Sequence, residues 1–520
     1  MHKNAQIKKG YLCTLSNGPK GSDNPPALCI NMNDLHPREP DESGPSGRQV
    51  RQDKPSLGSQ NTMDQAVKDS ISKLVGPENF SAELIDLVSL SYDGGEQCGR
   101  PEAAVWPLST QEVSGVMKIA HQHKVPVTPR GAGTGICGSA VPVAGGIVLD
   151  LSKMNKIKHI SVKDRIAIVE PGVVYANLQK ALNPLGFAFP PDPGSTSVCT
   201  IGGNVATNAG GLRGAKYGTT KDYVLGLTVV LADGRVMKTG TKTMKSSSGL
   251  DMVRLFVGSE GALGVITEIT LKLSPKPLAS RTLMALFDDL TDAAKAVSTV
   301  MSSGIIPSVM EILGRDLLHA INENTDMNLP EVDTMLLVET DGYTQTEADF
   351  QMDKIIEIFN DNHVKQITRA ETAEQAAELW TARKSAYPVA ARINSDIVVE
   401  DVTVPISKLP ELMARFQEIK KKYNLVVATC AHAGDGNFHP LIAYSRNDPD
   451  EVERVEKGVD EMFKVAMELE GTLTGEHGIG LQKAKYMPLE HDPVEMEMMR
   501  AVKRTFDPDN ILNPGKQLLS

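Results

Sequence analysis

Hydrophobic and polar positions change period several times along this chain. Ser109-Thr110-Gln111-Glu112 reads as a capping box, and Val113, Val116, Met117 and Ala120 follow at helical spacing. Short apolar runs at Val125–Thr128, Ile147–Leu151 and Ile166–Glu170 predict strands, with a helix near Val174–Leu182. Val224–Ala232 and Arg235–Lys238 flank Asp233-Gly234, a hairpin signal, and Val265–Leu273 alternates as a half-buried strand does. Pro275-Lys276-Pro277 then breaks the rhythm. Beyond it the pattern becomes strand (Thr282–Phe287), helix (Asp292–Ser302), strand (Ser308–Leu313), strand (Thr334–Glu339) and helix (Glu347–Phe359). This predicts a second α+β domain on an antiparallel sheet. A long helix over Pro449–Glu470 has Asp448 as N-cap and Gly471 after its end, with Val452, Val455, Val459, Met462, Phe463 and Ala466 as its buried stripe.

Composition narrows the function classes. The net charge of −11 argues against a nucleic-acid binder, and 2 Trp, 10 Tyr and 11 Phe are too few for base-stacking platforms. No apolar stretch approaches the roughly 18 residues of a transmembrane helix. Cys13, Cys29, Cys98, Cys137, Cys199 and Cys430 form no CxxC pair, so neither a zinc ribbon nor an iron–sulfur cluster is expected. A reducing, cytoplasmic setting is the expectation, with peripheral attachment to a membrane or, in a eukaryote, a mitochondrial location as alternatives. Residues 1–62 carry a charge of +2, leaving −13 for the remainder. This leader is poor in apolar residues and rich in Pro and Gly. It reads as a disordered extension, or as a stretch translated ahead of a natural start at Met63.

Glycine-rich loops carry the first chemical signal. Gly133-Thr134-Gly135-Ile136-Cys137-Gly138 matches G-x-G-x-x-G after a strand, but Pro142, Gly145 and Gly146 deny the helix that a Rossmann pyrophosphate site requires. The loop is then either a backbone nest for phosphate or a tight turn between strands. It is followed by Pro191–Thr196, Thr200–Gly211 and Gly258–Gly264, each rich in Gly with Ser, Thr or Asn. Four such loops suggest one large, polar, extended cofactor.

Trp106–Val113, Pro129–Gly135, Pro193-Gly194-Ser195, Gly202-Gly203-Asn204 and Gly258–Gly261 together resemble the FAD domain of the vanillyl-alcohol-oxidase-like, PCMH-type flavoproteins. Within these, the chain is similar to the group of FAD-linked D-lactate dehydrogenases, glycolate oxidase FAD subunits and D-2-hydroxyglutarate dehydrogenases. The resemblance implies an α+β chain. Two α/β subdomains would form a FAD-binding domain over residues 63–276, an α+β cap with an antiparallel sheet would follow over 277–490, and residues 491–520 would return to the FAD domain. It implies that Pro129, Arg130, Gly131, Ala132, Gly133, Thr134, Gly135, Gly138 and Ser139 bind FAD, with the Arg130–Gly138 loop on its pyrophosphate. Pro193, Gly194, Ser195, Thr200, Gly203, Asn204, Asn208, Gly211, Asp222, Glu260, Gly261, Gly264, Val265, Ile266 and Asn513 would line the rest of the FAD. The first loop has no histidine for covalent attachment, so non-covalent FAD is expected.

A second constellation lies in the cap. Val426–His432 and Phe438–Tyr444 read as strands joined by a two-residue turn at Asp435-Gly436, which sets His432 directly opposite His439 on one face. Alone, the pair is either a shared metal site or a cross-strand stack of imidazoles. Thr474-Gly475-Glu476-His477 adds a carboxylate and a further histidine, and two histidines with one carboxylate leave coordination positions open. Arg383 falls on the helical stripe of Ala376, Leu379, Trp380 and Tyr387, either snorkelling over an apolar surface or gripping an anion.

The resemblance gives these residues roles. His432, His439 and Glu476 are the implied ligands of a divalent metal, Zn in the first place and Mn or Fe otherwise. His477 is the implied base, Arg383 the carboxylate clamp and Asn437 a substrate contact. The implied reaction oxidises a small D-2-hydroxy acid to the 2-oxo acid, with hydride transfer to the flavin. D-lactate ranks first, glycolate second and D-2-hydroxyglutarate third, because Glu400 stands where the relatives taking the five-carbon dicarboxylate carry a lysine. Electrons would leave to an electron-transferring flavoprotein, an iron–sulfur subunit or a quinone. Outside this class, a metal-dependent hydrolase would explain the His/His/Glu set but leave the glycine-rich loops without work.

Overall fold

The computed structural model describes residues 63–519, so the expectation of a disordered leader lies outside the described residues. The first layer is a four-stranded sheet in the order Phe80–Ser81, Ala103–Val105, Ile147–Asp150, Val127–Arg130. Its last three strands are parallel, joined through the helix Thr110–His123, whose N-cap Ser109 accepts a hydrogen bond from the Glu112 amide. The chain end returns to this sheet. The Val127 amide donates to Ile511, and the Asn513 amide donates back to Val127.

The second layer is an antiparallel five-stranded sheet in the order Ile157–Ser161, Ile166–Val169, Val265–Lys272, Val224–Val230, Val236–Gly240. The segment Thr200–Gly211, expected as a loop, contains the helix Ile201–Thr207. Two glycines disfavour a helix, but three forces override that preference. The Thr200 hydroxyl caps the Gly203 amide, Ile201 and Val205 are buried, and Asn208 ends the helix in the left-handed conformation at φ 55.

After Pro275 the chain builds an eight-stranded sheet whose central order is Ala279–Phe287, Thr334–Gly342, Val309–Gly314, Val426–His432, Asn437–Tyr444. One face is covered by the helices Leu290–Ser302, Gln345–Asp361, Leu409–Tyr423 and Pro449–Glu468. The other packs on Ala382, Ala386, Val389 and Ala390 of two short helices, and Ile136 of the first glycine-rich loop joins that cluster. The sheet therefore presents its second face toward the first glycine-rich loop, and the candidate site lies there.

The central hairpin differs from expectation in register. His432 pairs with Asn437, and Cys430 pairs with His439. Ala433–Asp435 form a 3-10 turn closed by Gly436 at φ 78, so the loop has four residues rather than two. A shift of two positions leaves every side chain on its face. His432 and His439 are diagonal neighbours, not opposite partners, and their rings still meet edge to face at 4.9 Å.

Candidate active site

A cavity of about 520 Å³ runs from the glycine-rich loops to the cap sheet. Its first wall is Pro129–Ile136 with Ser139, Pro193–Ser195, Thr200, Gly202–Asn204, Glu260, Gly261, Gly264 and Ile266. Arg130, the last residue of its strand, is 7% exposed; its guanidinium donates to Tyr92 O at 2.7 Å and more weakly to Ala140 O. It ties the two ends of the loop together from behind. Gly133 sits at φ +68 with its missing Cβ directed at that guanidinium, so no side chain fits. At Gly135 and Gly194 an added Cβ would meet nothing within 4 Å. The trough is open there, and its walls offer backbone and small polar groups, as an extended phosphate-bearing cofactor requires.

Several expected cofactor residues stand outside this wall. Val265 is fully buried in the core beneath it, and Asp222 caps a 3-10 turn through the Thr219 amide. Asn208 accepts from the Thr219 hydroxyl and the Lys221 amide. Gly138 packs on Leu481, and Gly211 faces the Asp192 carbonyl. Asn513 acts from behind, donating to Ser139 O at 2.8 Å and Glu260 O at 2.6 Å.

The opposite wall carries Arg383, Tyr387, His432, His439, Glu476 and His477. His432 Nε2 is 3.1 Å and His439 Nε2 3.5 Å from Glu476 Oε1, and the three ligand atoms lie within 4.8 Å of one another. His439 Nε2 is buried without a hydrogen-bond partner. An orphaned imidazole nitrogen beside a second imidazole and a carboxylate fits a divalent cation such as Zn²⁺. A second trio, Asp401, His439 and His477, is as tightly grouped. However, Asp401 already accepts from the Thr474 hydroxyl, the Glu476 and His477 amides and the Asn437 amide nitrogen. It shapes the Thr474–His477 turn and has little capacity left for a metal.

Electrostatics divide the three histidines. Burial pushes the His439 pKa down to about 3, helped by its two histidine neighbours. Burial also lowers His477, which stacks on His439 at 4.9 Å. Burial acts the same way on His432, but Glu311 and Glu476 outweigh it and raise its pKa well above the usual range. Glu476 is held low because the three histidines overcome its own burial.

Two expectations meet a different geometry. Asn437 does not line the cavity; its amide is spent on Asp401, Val402 O and Thr403. Glu400 is 2% exposed, with Gln482 and Lys483 beside its carboxylate, and it too is absent from the wall. It therefore presents no charge to a distal carboxylate. Three further charged residues brace the site from behind its wall, and the sequence alone does not single them out. Glu311 is fully buried beside His432 and Arg383, and Asp401 and Lys483 are likewise fully buried. A lone charged residue within an apolar strand, as in Val309-Met310-Glu311-Ile312-Leu313, was the available signal.

Residues 101–240 match the model of a FAD binding domain, and residues 276–517 match that of the C-terminal domain of FAD linked oxidases. The chain is 42% identical to the glycolate oxidase subunit GlcD of Bacillus subtilis over 86% of its own length and 96% of that protein's. It is 37% identical to the mitochondrial D-lactate dehydrogenase [cytochrome] of Arabidopsis thaliana over 80% of this chain and 73% of that one. A solved structure of p-cresol methylhydroxylase with substrate bound shares the fold, with a TM-score of 0.73 over 87% of this chain and 96% of that one at 22% identity. Glycine-lined trough, capping sheet and relatives agree: this chain belongs to the PCMH-type FAD flavoproteins, among the FAD-linked oxidoreductases.

Proposed function

We propose that this chain oxidises a small D-2-hydroxy acid, D-lactate first, to its 2-oxo acid and passes the electrons to an acceptor other than NAD. The observation that carries this reading is the meeting, in one cavity, of the glycine-lined trough with Arg383, His477 and the His432/His439/Glu476 set. FAD bound in the trough supplies a hydride acceptor, and a divalent metal on the His/His/Glu set supplies Lewis acidity to the substrate hydroxyl.

The chain's own residues do the rest. Arg383 donates through Nε to Glu311 at 2.5 Å, which leaves its two Nη groups for the substrate carboxylate. Gripping that group decides which face of the α-carbon meets the trough. His477 takes the hydroxyl proton on Nε2, the nitrogen nearer Glu476, while its Nδ1 edge faces Asp401 at 3.8 Å. His477→Ala should lose turnover yet keep flavin.

Glycolate is the second reading, favoured by the 42% identity to the Bacillus subtilis glycolate oxidase subunit. D-2-hydroxyglutarate stays third, although the buried Glu400 no longer argues against it. An electron-transferring flavoprotein, an iron–sulfur subunit or a quinone would take the electrons. No helix among the described residues is long and apolar enough to cross a membrane. The test is a panel of D- and L-2-hydroxy acids with an artificial dye acceptor. The reading expects D-acids only, with D-lactate first; a preference for L-acids would overturn it.

A further inference from the structure

Glu311 lies in the strand Val309–Gly314, which is buried at every position. A carboxylate with no exposed surface is costly unless both oxygens find charged or strongly polar partners. Each oxygen here has its own. Oε1 is 2.6 Å from His432 Nδ1, and Oε2 accepts from Arg383 Nε at 2.5 Å. Glu311 is also the cross-strand neighbour of His432, so the backbone register itself sets the first contact. The second reaches across to the end of the helix Ala373–Lys384, 72 residues away in sequence.

These two bonds have consequences for different parts of the site. Accepting a hydrogen bond from Nδ1–H fixes the His432 ring so that Nε2 faces Glu476, and Nε2 is then the nitrogen a metal would ligate on displacing its proton. Holding Arg383 by Nε turns the remaining edge of its planar guanidinium toward the cavity, the orientation a carboxylate clamp needs. We propose that Glu311 is a positioning residue shared by the metal site and the substrate clamp, setting the distance between metal and substrate carboxylate with one rigid, buried group. This rests on the roles proposed above for His432 and Arg383.

The test uses flavin-loaded full-length protein stripped of metal with a chelator, titrated with Zn²⁺ alone, and steady-state kinetics at saturating Zn²⁺. Glu311→Gln keeps the shape but cannot accept at both ends. It should retain flavin, lose ten- to a hundredfold in Zn²⁺ affinity and raise the KM for the hydroxy acid at least tenfold. Glu311→Asp keeps the buried charge but withdraws it by about 1.5 Å, and should shift both quantities in the same direction. A purely structural role would leave Zn²⁺ affinity and KM within twofold in whichever variant holds flavin, and that result overturns the proposal. Movement of only one quantity overturns the shared role, and loss of flavin from both variants overturns it in favour of a fold-maintaining residue. Wild-type protein that binds no Zn²⁺, or a His432→Ala variant that binds it equally well, refutes the metal reading itself and this inference with it.

Discussion

Glu260 joins the two halves of the site, and replacing it by glutamine isolates that work. Its carboxylate accepts from the Ile479 amide at 2.7 Å, the Gly480 amide at 2.8 Å and the Ser139 hydroxyl at 2.7 Å. Its own carbonyl accepts from Asn513. The residue is 4% exposed and held at φ 51, a conformation a glutamate adopts only when its surroundings demand it. In Glu260→Gln the carbonyl oxygen can keep Gly480 and Ser139, but the NH₂ group then faces the Ile479 N–H. One buried amide left unsatisfied costs about 1–3 kcal/mol, and weakening two charge-assisted bonds adds about 1 kcal/mol each. The sum is about 3–5 kcal/mol. Because the loss is local, amide hydrogen exchange reads it directly: Ile479 and Gly480 should exchange at least a hundredfold faster, at about 1.4 kcal/mol per tenfold. His477 lies two residues from Ile479, so turnover should fall as well. Exchange within twofold of wild type at both amides would show that Glu260 does not hold this turn.

Other expectations follow from the same geometry. Arg213 reaches Glu339 at 3.0 Å, Asp192 at 3.6 Å and Asp341 at 3.8 Å, tying the FAD-binding segment to the cap sheet. Arg213→Ala removes the shared cation, while Asp341 keeps Lys216 and Tyr217 and Glu339 keeps Ser308. It should cost about 2 kcal/mol in urea denaturation, less than a broken fully buried pair because the arginine is one-third exposed. Lys516 is 2% exposed, donates to Val141 O, and burial pushes its pKa from 10.5 down to about 8. Between those values the unfolded chain binds more protons than the folded one, so wild-type stability gains with rising pH across that window relative to Lys516→Met. The difference should grow by about 3 kcal/mol; a pH-independent difference would contradict the burial argument.

What was legible in the sequence depended on whether a feature was local. The glycine-rich loops and the His/His/Glu set follow from chemistry carried within short segments. The hairpin register was misjudged by two because a 3-10 turn over Ala433–Asp435 was invisible beside Asp435-Gly436. The faces survived because side-chain direction repeats every two residues. The helix Ile201–Thr207 escaped because its glycines vote for a loop, whereas Gly202 backs directly onto Pro171, a contact no local rule contains. Glu311 and Asp401 escaped for a related reason: each becomes meaningful only when distant partners, His432 and Arg383 or Asn437 and His477, are brought to it. Asn437 is expected as a substrate contact, whereas in the structure its side-chain NH₂ donates to Asp401 and the residue is absent from the cavity wall.

The proposed metal-assisted oxidation is open to anaerobic mixing of the FAD-loaded protein with D-lactate, before and after chelation. D-lactate should bleach the flavin absorbance, chelation or His439→Ala should abolish bleaching while flavin stays bound, Zn²⁺ should restore it to the chelated protein, and L-lactate should be inert. Bleaching that persists undiminished without metal, or that L-lactate matches, would contradict the proposed oxidation.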